Sequence, residues 1–341
     1  MTINELKKGP WNLTDLKNVK PNGLKVFSIF SCGGGSTMGY KLAGYEVIGC
    51  CEIDPQMMRI YRANHNPRLS YLMGVQEFKL VPDLERELFD LDILDGSPPC
   101  SSFSMAGSRE KAWGDKKKFR EGQAEQVLDN LFFDFIEVAK RLQPKIVVAE
   151  NVKGLIQGNA RGYVKEIFQG FKDAGYHCQL FLLNAAAMGV PQRRERTFFI
   201  ANRLDKKIDL KFSENTVTIG DAWSDLSNQK GKELSDEQKK YWEKTPPGKS
   251  LAFAHPKGNM FTWVKVDPKR PCGTVVAGPA QLHYAEPRWL SSSETIRAQS
   301  FPDDYNFLDA ETRYLCGMSV PPFMMQRVAD QIYKQFFLEQ I

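Results

Sequence analysis

An α/β protein built on a doubly wound, mostly parallel sheet is predicted, on three observations. Short apolar runs of strand length recur at 26–30, 46–51, 91–94, 145–149 and 197–201. Stretches with helical spacing stand between most of them, which calls for crossovers and parallel strands. The first run ends in the glycine turn Ser31-Cys32-Gly33-Gly34-Gly35-Ser36, ahead of a helical stretch. Strand, glycine turn and helix together open a nucleotide-type site, because glycines let backbone approach a ligand and the helix start offers free N–H groups.

Residues 1–23 are polar, carry Pro10, Pro21 and Gly23, and read as a loosely held lead-in. After the first strand, a helix is expected around Thr37 to Ala43. The glycines do not fit the dinucleotide fingerprint: counted from Gly33 the third glycine falls on Met38, and counted from Gly34 the second falls on Ser36. A second strand runs from Glu46 into Glu52-Ile53-Asp54. An acid ending that strand suits ribose hydroxyls, which favours Glu52, and Ile53 would lie against an adenine face. Alternatively the acid belongs to the start of the helix that Asp54-Pro55 opens, through about Asn64. Tyr71 to Val75 is read as a third strand.

A helix is expected over 123–142, where Val127, Leu128, Leu131, Phe132, Phe135, Ile136, Val138, Ala139 and Leu142 recur at helical spacing before Pro144 stops it. A buried strand at 145–149 ends in Glu150-Asn151-Val152. A helix from Tyr163 to Ala174 and a strand from His177 to Leu183 follow. The basic turn Gln192-Arg193-Arg194-Glu195-Arg196 feeds the strand 197–201; it either puts guanidinium groups on an anionic or carbonyl oxygen or is a solvated turn. The alternation lapses over 204–268, read as a small irregular module with one clear helix start, the capping box Ser235-Asp236-Glu237-Gln238. Arg270 to Val276 is strand-like, and Pro321-Pro322 opens a last helix.

Composition bounds the function classes. The 341 residues are 42% hydrophobic and 26% charged, ordinary for a soluble globular chain of one large domain or one large and one small. No apolar run is long enough to span a bilayer, and the first residues lack the apolar stretch of a signal peptide. Seven cysteines without a C-x-x-C pair indicate neither a disulfide framework nor a zinc site, so no metal is expected and a cytoplasmic location is. The net charge of +5 is compatible with a polyanionic partner. Its excess is local: Arg109, Lys111, Lys116, Lys117, Lys118 and Arg120 stand against Glu110 and Asp115. That run is either a solvated loop or a phosphate grip.

The run begins just after the stretch that holds the chemistry, Asp95-Gly96-Ser97-Pro98-Pro99-Cys100. Two prolines fix two φ angles and keep the chain extended as it leaves the 91–94 strand. A soft nucleophile on a stiff arm at the carboxyl end of a strand sits where open α/β sheets keep their chemistry. The other fate of such a residue is a buried structural cysteine.

Four stretches, Phe30 to Gly35, Pro99-Cys100, Glu150-Asn151-Val152 and Gln192-x-Arg194-x-Arg196, occur in the order and spacing of the DNA (cytosine-5)-methyltransferases. Arg270-x-x-x-Thr274-Val275, Gln299-Ser300-Phe301-Pro302 and Gly317-Met318-Ser319-Val320 also resemble that family's C-terminal motifs. The resemblance covers roughly 25–338. It implies the Rossmann-like fold of S-adenosylmethionine-dependent methyltransferases, a catalytic domain over 24–203 and 269–341, and a target-recognition region over 204–268. It further implies methylation of a flipped-out cytosine in double-stranded DNA, with Cys100 adding to C6, Glu150 serving N3, Arg196 at O2 and Arg194 supporting the thiolate and nearby backbone. S-adenosyl-L-methionine would lie over Gly33 and Gly34, with Phe30 and Ile53 on its adenine, Glu52 on its ribose, and Pro99, Ser319 and Val320 completing the site. The basic loop 104–123 corresponds to a loop that closes over DNA. A transfer-RNA cytosine-5 methyltransferase of the same motif order is the nearest rival. A monomer, nucleoid-associated if bacterial, is expected; whether a cognate restriction endonuclease accompanies it stays open. Three positions depart from the family pattern: Cys32 and Met318 replace a glycine and an asparagine, and Val75 stands where an aspartate usually meets the adenine amino group.

Overall fold

The computed structural model describes residues 9–99, 130–157 and 161–338, with the backbone alone of 116–117 and 126–127. Among these residues one sheet dominates. Its seven strands are β1 (Lys25–Ile29), β2 (Glu46–Glu52), β3 (Leu69–Leu72), β4 (Ile93–Gly96), β5 (Ile146–Val152), β6 (His177–Asn184) and β7 (Glu195–Asn202), in the order 3-2-1-4-5-7-6. β1 pairs parallel with β2 and β4, β2 with β3, and β4 with β5; β7 runs antiparallel to β5. The order reverses beside β1, between β1 and β4, and such a switch point is where open sheets bind ligands at the carboxyl ends of their strands.

The crossovers are α1 (Gly35–Leu42), α2 (Pro55–His65), α3 (Leu131–Leu142) and α4 (Arg161–Asp173). Three of them show the local chemistry that starts or stops them. Gly34, at φ 87°, turns the chain into α1. Asp54 caps α2, its carboxylate accepting the N–H groups of Gln56 and Met57 at 2.8 and 3.2 Å, with Pro55 behind it. Gln143 closes α3 in the left-handed region ahead of Pro144. The core under the sheet joins Phe27 and Ile29 of β1 to Phe132 and Phe135 of α3, Ile167 and Phe171 of α4, and Phe199 of β7.

The chain divides into two compact units. One takes in 20–183, 195–211 and 326–341, and holds the sheet; the other takes in 1–19, 184–194 and 212–325. The second unit has α5 (Asp236–Lys244), α6 (Ser292–Ala298), α7 (Thr312–Met318) and a two-residue parallel ladder of Val264–Lys265 with Gln281–Leu282. α5 starts at the expected capping box: Ser235 Oγ accepts the Gln238 N–H at 3.3 Å, and Gln238 Oε1 accepts the Ser235 N–H at 2.9 Å. A last helix, α8 (Pro322–Ile332), buries Met324, Met325, Val328, Ala329 and Ile332.

Four expectations are corrected. The lead-in is not loose from Trp11 onward: the indole is 2% exposed and donates to the Ser300 carbonyl at 3.0 Å, and the Trp11 carbonyl accepts the Asp303 N–H. The third strand ends at Leu72; the N–H groups of Glu77 and Phe78 fold back onto the Gly74 carbonyl, so Val75–Phe78 is a helical turn. The helix expected from 123 begins at Leu131, and the backbone of Gln126–Val127 pairs antiparallel with Lys116–Lys117 instead. Arg270–Val276 forms no regular strand. Pro271 has no N–H to give and Gly273 loosens the backbone, so one bridge between Gln192 and Cys272 is what pairs there.

Candidate active site

The ends of β1 and β2 and the turn after β3 meet at a small cleft in the sheet-bearing unit. Phe30, Glu52, Ile53, Met73, Gly74 and Val75 line it. Three residues expected at a methyl donor's adenosine therefore share one cavity with Val75. Phe30 leaves β1 in the left-handed region, at φ 57°, and its ring lies 6.3 Å from that of Phe135. Cys32 is also left-handed, at φ 47°, a conformation that suits the glycine of the family pattern better than a cysteine.

Glu52 has a defined task of its own. Its Oε2 accepts the Cys32 N–H at 2.7 Å and its Oε1 the Asp54 N–H at 2.9 Å. It thus ties the glycine turn to the end of β2, while Asp54 does the capping of α2. Burial pushes the Glu52 carboxyl up, and the backbone N–H groups oppose that shift. Behind the turn stands His65, which sequence reasoning missed. Its Nε2 lies 3.2 Å from the Gly33 carbonyl, and burial takes its imidazole down to about 3, so the ring is neutral. A Cβ on Gly34 would come within 2.2 Å of that same Nε2.

The second cluster forms where β4 and β5 end side by side. Gly96 is packed so closely that a Cβ there would meet the Phe135 ring at 2.6 Å. Pro98 is buried, and its carbonyl accepts the side-chain amide of Asn151 at 2.9 Å, which fastens the exit of β4 to β5. Pro99 follows. Cys100 lies outside the described residues, and so does the basic loop 104–123 except for the backbone of 116–117.

Glu150 precedes Asn151 on β5 and is 7% exposed. Arg196 on β7 is its diagonal neighbour across the antiparallel register, since Glu150 stands opposite Phe198 and Val152 opposite Arg196. The Arg196 Nε lies 3.1 Å from Glu150 Oε1, and its Nη1 donates to the Glu195 carbonyl at 2.8 Å. Burial pulls the Arg196 guanidinium below its usual range against the opposing pull of Glu150.

Arg194, Ser319 and Val320 belong to the other unit. Arg194 is 2% exposed; its Nη1 donates to the Val275 carbonyl at 2.9 Å and its Nη2 to the Gly317 and Ser319 carbonyls at 2.9 and 3.0 Å. Gln192 and Gln299 bond to each other at 2.6 Å, and Gln299 reaches the Ser319 carbonyl at 2.8 Å. The C-terminal motifs thus form one buried polar knot around an arginine. Gly317 fits because a Cβ would strike the backbone of Val276 and Ala277 at 2.3 Å. The structure brings Phe30, Glu52 and Ile53 together, and Glu150 with Arg196.

This architecture is shared. A solved protein described as a DNA modification methyltransferase encoded within an E. coli prophage superposes with a TM-score of 0.71 at 21% identity, covering 92% of this chain and 99% of that one. The Dnmt2 methyltransferase of S. pombe superposes at 0.62 with 15% identity, covering 91% and 98%. Both likenesses speak to the fold. In sequence, the chain is 29% identical to the type II methyltransferase M.NgoFVII of Neisseria gonorrhoeae over 94% of its length and 89% of the relative's. It is 28% identical to M1.HphI of Haemophilus parahaemolyticus, over 91% and 87%. The family model for C-5 cytosine-specific DNA methylases matches residues 24–334, spanning both the cleft at Phe30 and Glu52 and the Glu150–Arg196 pair, and the chain belongs to that family of cytosine-C5 DNA methyltransferases.

Proposed function

We propose that the protein methylates C5 of a cytosine swung out of double-stranded DNA, with S-adenosylmethionine as donor and through a covalent bond between Cys100 and C6. The base has to leave the stack because its ring faces are covered there. The observation that carries this reading is the buried Glu150–Arg196 pair at the end of β5, beside the strand whose proline arm leads to Cys100. A thiol alone cannot attack a cytosine ring, which is a poor electrophile. Glu150 sharing a proton with N3 and Arg196 holding O2 draw electron density from C6 and stabilise the charge that builds on the ring. The Cys100 thiolate then adds to C6, and C5 becomes the nucleophilic carbon. After methylation, a base removes the C5 proton, the C5–C6 double bond re-forms and the thiolate leaves.

The chemistry of the cleft lining supports the donor reading. Phe30, Ile53 and Val75 supply apolar walls for a flat base, and the Glu52 carboxylate, held by backbone N–H groups, is the proposed acceptor for a ribose hydroxyl. Gly33, Gly34, Pro99, Ser319 and Val320 are proposed as the remaining contacts of the donor. When bound, S-adenosylmethionine supplies a methyl group on a cationic sulfur. Arg194, engaged with three carbonyls, is proposed as a positioning residue for the backbone of 275 and 317–319. The working form is proposed to be a cytoplasmic monomer acting on DNA, and methylation of this kind would shield a site from a cognate restriction endonuclease.

The test is expression in a host without cytosine methylation, followed by sequencing of 5-methylcytosine. Marks at a defined short sequence, absent with Cys100→Ser, are expected. Folded protein that leaves DNA unmarked but methylates transfer RNA overturns the DNA reading.

A further inference from the structure

Asp95 has no part in the chemistry above, yet it is 1% exposed on β4, five residues before Cys100 in the chain. Its Oδ2 accepts the Ser28 hydroxyl of β1 at 2.8 Å, and its Oδ1 accepts the Tyr40 hydroxyl of α1 at 3.3 Å. The Ser36 hydroxyl, in the first turn of α1, bonds to it as well. One carboxylate therefore gathers hydroxyls from β1 and from two turns of the helix that begins at Gly35. Ionised, the group offers acceptor sites to all three; protonated, one of its oxygens becomes a donor and the set of bonds must rearrange.

We propose that Asp95 is a positioning residue for methyl-donor binding: its carboxylate fastens the glycine-turn helix α1 to β4, the strand that leads to Cys100. The inference rests on the donor cleft assigned above. Three hydroxyls of the neighbouring elements have a bearing on its ionisation: Ser28 from β1, and Ser36 and Tyr40 from α1. The Tyr61 phenol of α2 bonds to Thr37 of α1 at 2.8 Å, and burial, with the Asp95 charge adding to it, raises its pKa in turn. The Glu150 carboxylate acts on it from β5. Burial, aided by Glu150, pushes the Asp95 carboxyl up to about 7, against the pull of the hydroxyl donors. The binding-competent ionised form is therefore full above that value and drains away as pH falls through it. By linkage, donor binding near neutrality releases protons.

The experiment is calorimetric titration of the full chain with S-adenosylhomocysteine, without DNA, in buffers of different ionisation enthalpy. Wild-type affinity should fall roughly tenfold from about pH 8 to about pH 6, with fractional proton release near pH 7. Asp95→Asn should bind weakly with little pH dependence and lose the proton release that depends on Asp95. Tyr40→Phe removes one bond to the ionised form, so the midpoint of its pH dependence should move upward; this decides the matter if Asp95→Asn does not fold. Asp95→Asn with wild-type affinity and pH dependence, or an unmoved midpoint in Tyr40→Phe, overturns the inference and leaves the donor site standing. No binding by the wild type at any pH overturns both. The same pH dependence persisting in Asp95→Asn but vanishing in Glu52→Gln assigns the titration to Glu52 and rejects Asp95.

Discussion

At the scale of single residues, Glu150 and Gly34 carry the sharpest predictions. Glu150→Gln keeps the shape of the side chain and an oxygen for Arg196, but has no acidic proton for N3. Turnover should fall about 10²–10⁴-fold while S-adenosylhomocysteine affinity stays within about twofold of wild type. Equal losses in both would remove Glu150 from the chemistry. Gly34→Ala faces two penalties, a left-handed φ of 87° and a Cβ 2.2 Å from His65 Nε2. Together these should cost about 2–4 kcal/mol, seen as a lower melting temperature and weaker donor binding. His65→Ala on the Gly34→Ala background should relieve the steric share and leave the φ share. An unchanged melt in Gly34→Ala would mean that the turn is not built as described. That Phe30, Glu52 and Ile53 line one cleft follows from their places at the ends of β1 and β2, which the apolar runs marked. His65 and Asp95 were not legible in the sequence, since their partners lie 32 and 67 residues away in sequence and only the folded sheet brings them together.

At the scale of elements, local signals succeeded where they were strong. Pro55 behind Asp54, the Ser235 capping box and Pro322 each mark a helix start that the structure reproduces. Ser235→Ala should therefore cost about 1 kcal/mol by removing the acceptor for the Gln238 N–H. A urea melt gives the number; a value near zero would show that water replaces the hydroxyl there at no cost. Periodicity misled where tertiary pairing outweighed it. Arg270–Val276 has the apolar content of a strand, but Pro271 and Gly273 leave a single bridge to Gln192. Over 123–130 the spacing continues that of α3, yet the backbone of Gln126–Val127 is held by Lys116–Lys117. In both places the partner, not the local pattern, sets the conformation.

At the scale of the whole molecule, the sheet was readable because alternating strands and helices admit few arrangements. The boundary of the variable segment was not, because a break in pattern does not say which distant residues complete a core. The expected module 204–268 forms its small core with help from outside it: Leu234, Trp242 and Leu251 pack with Leu282 and Trp289. The Trp242 indole donates to the His283 carbonyl at 3.0 Å, and Val264–Lys265 pairs with Gln281–Leu282. Cut out alone, 204–268 loses two of its five buried cluster residues, one indole acceptor and its ladder partner. Isolated 204–268 should therefore show no cooperative thermal transition and a collapsed amide spectrum. A fragment extended through 290 regains those partners and should show greater dispersion of its amide signals. A sharp, reversible melt from 204–268 by itself would mean that the segment is a self-sufficient module, and that the packing against Leu282 and Trp289 is dispensable for its fold.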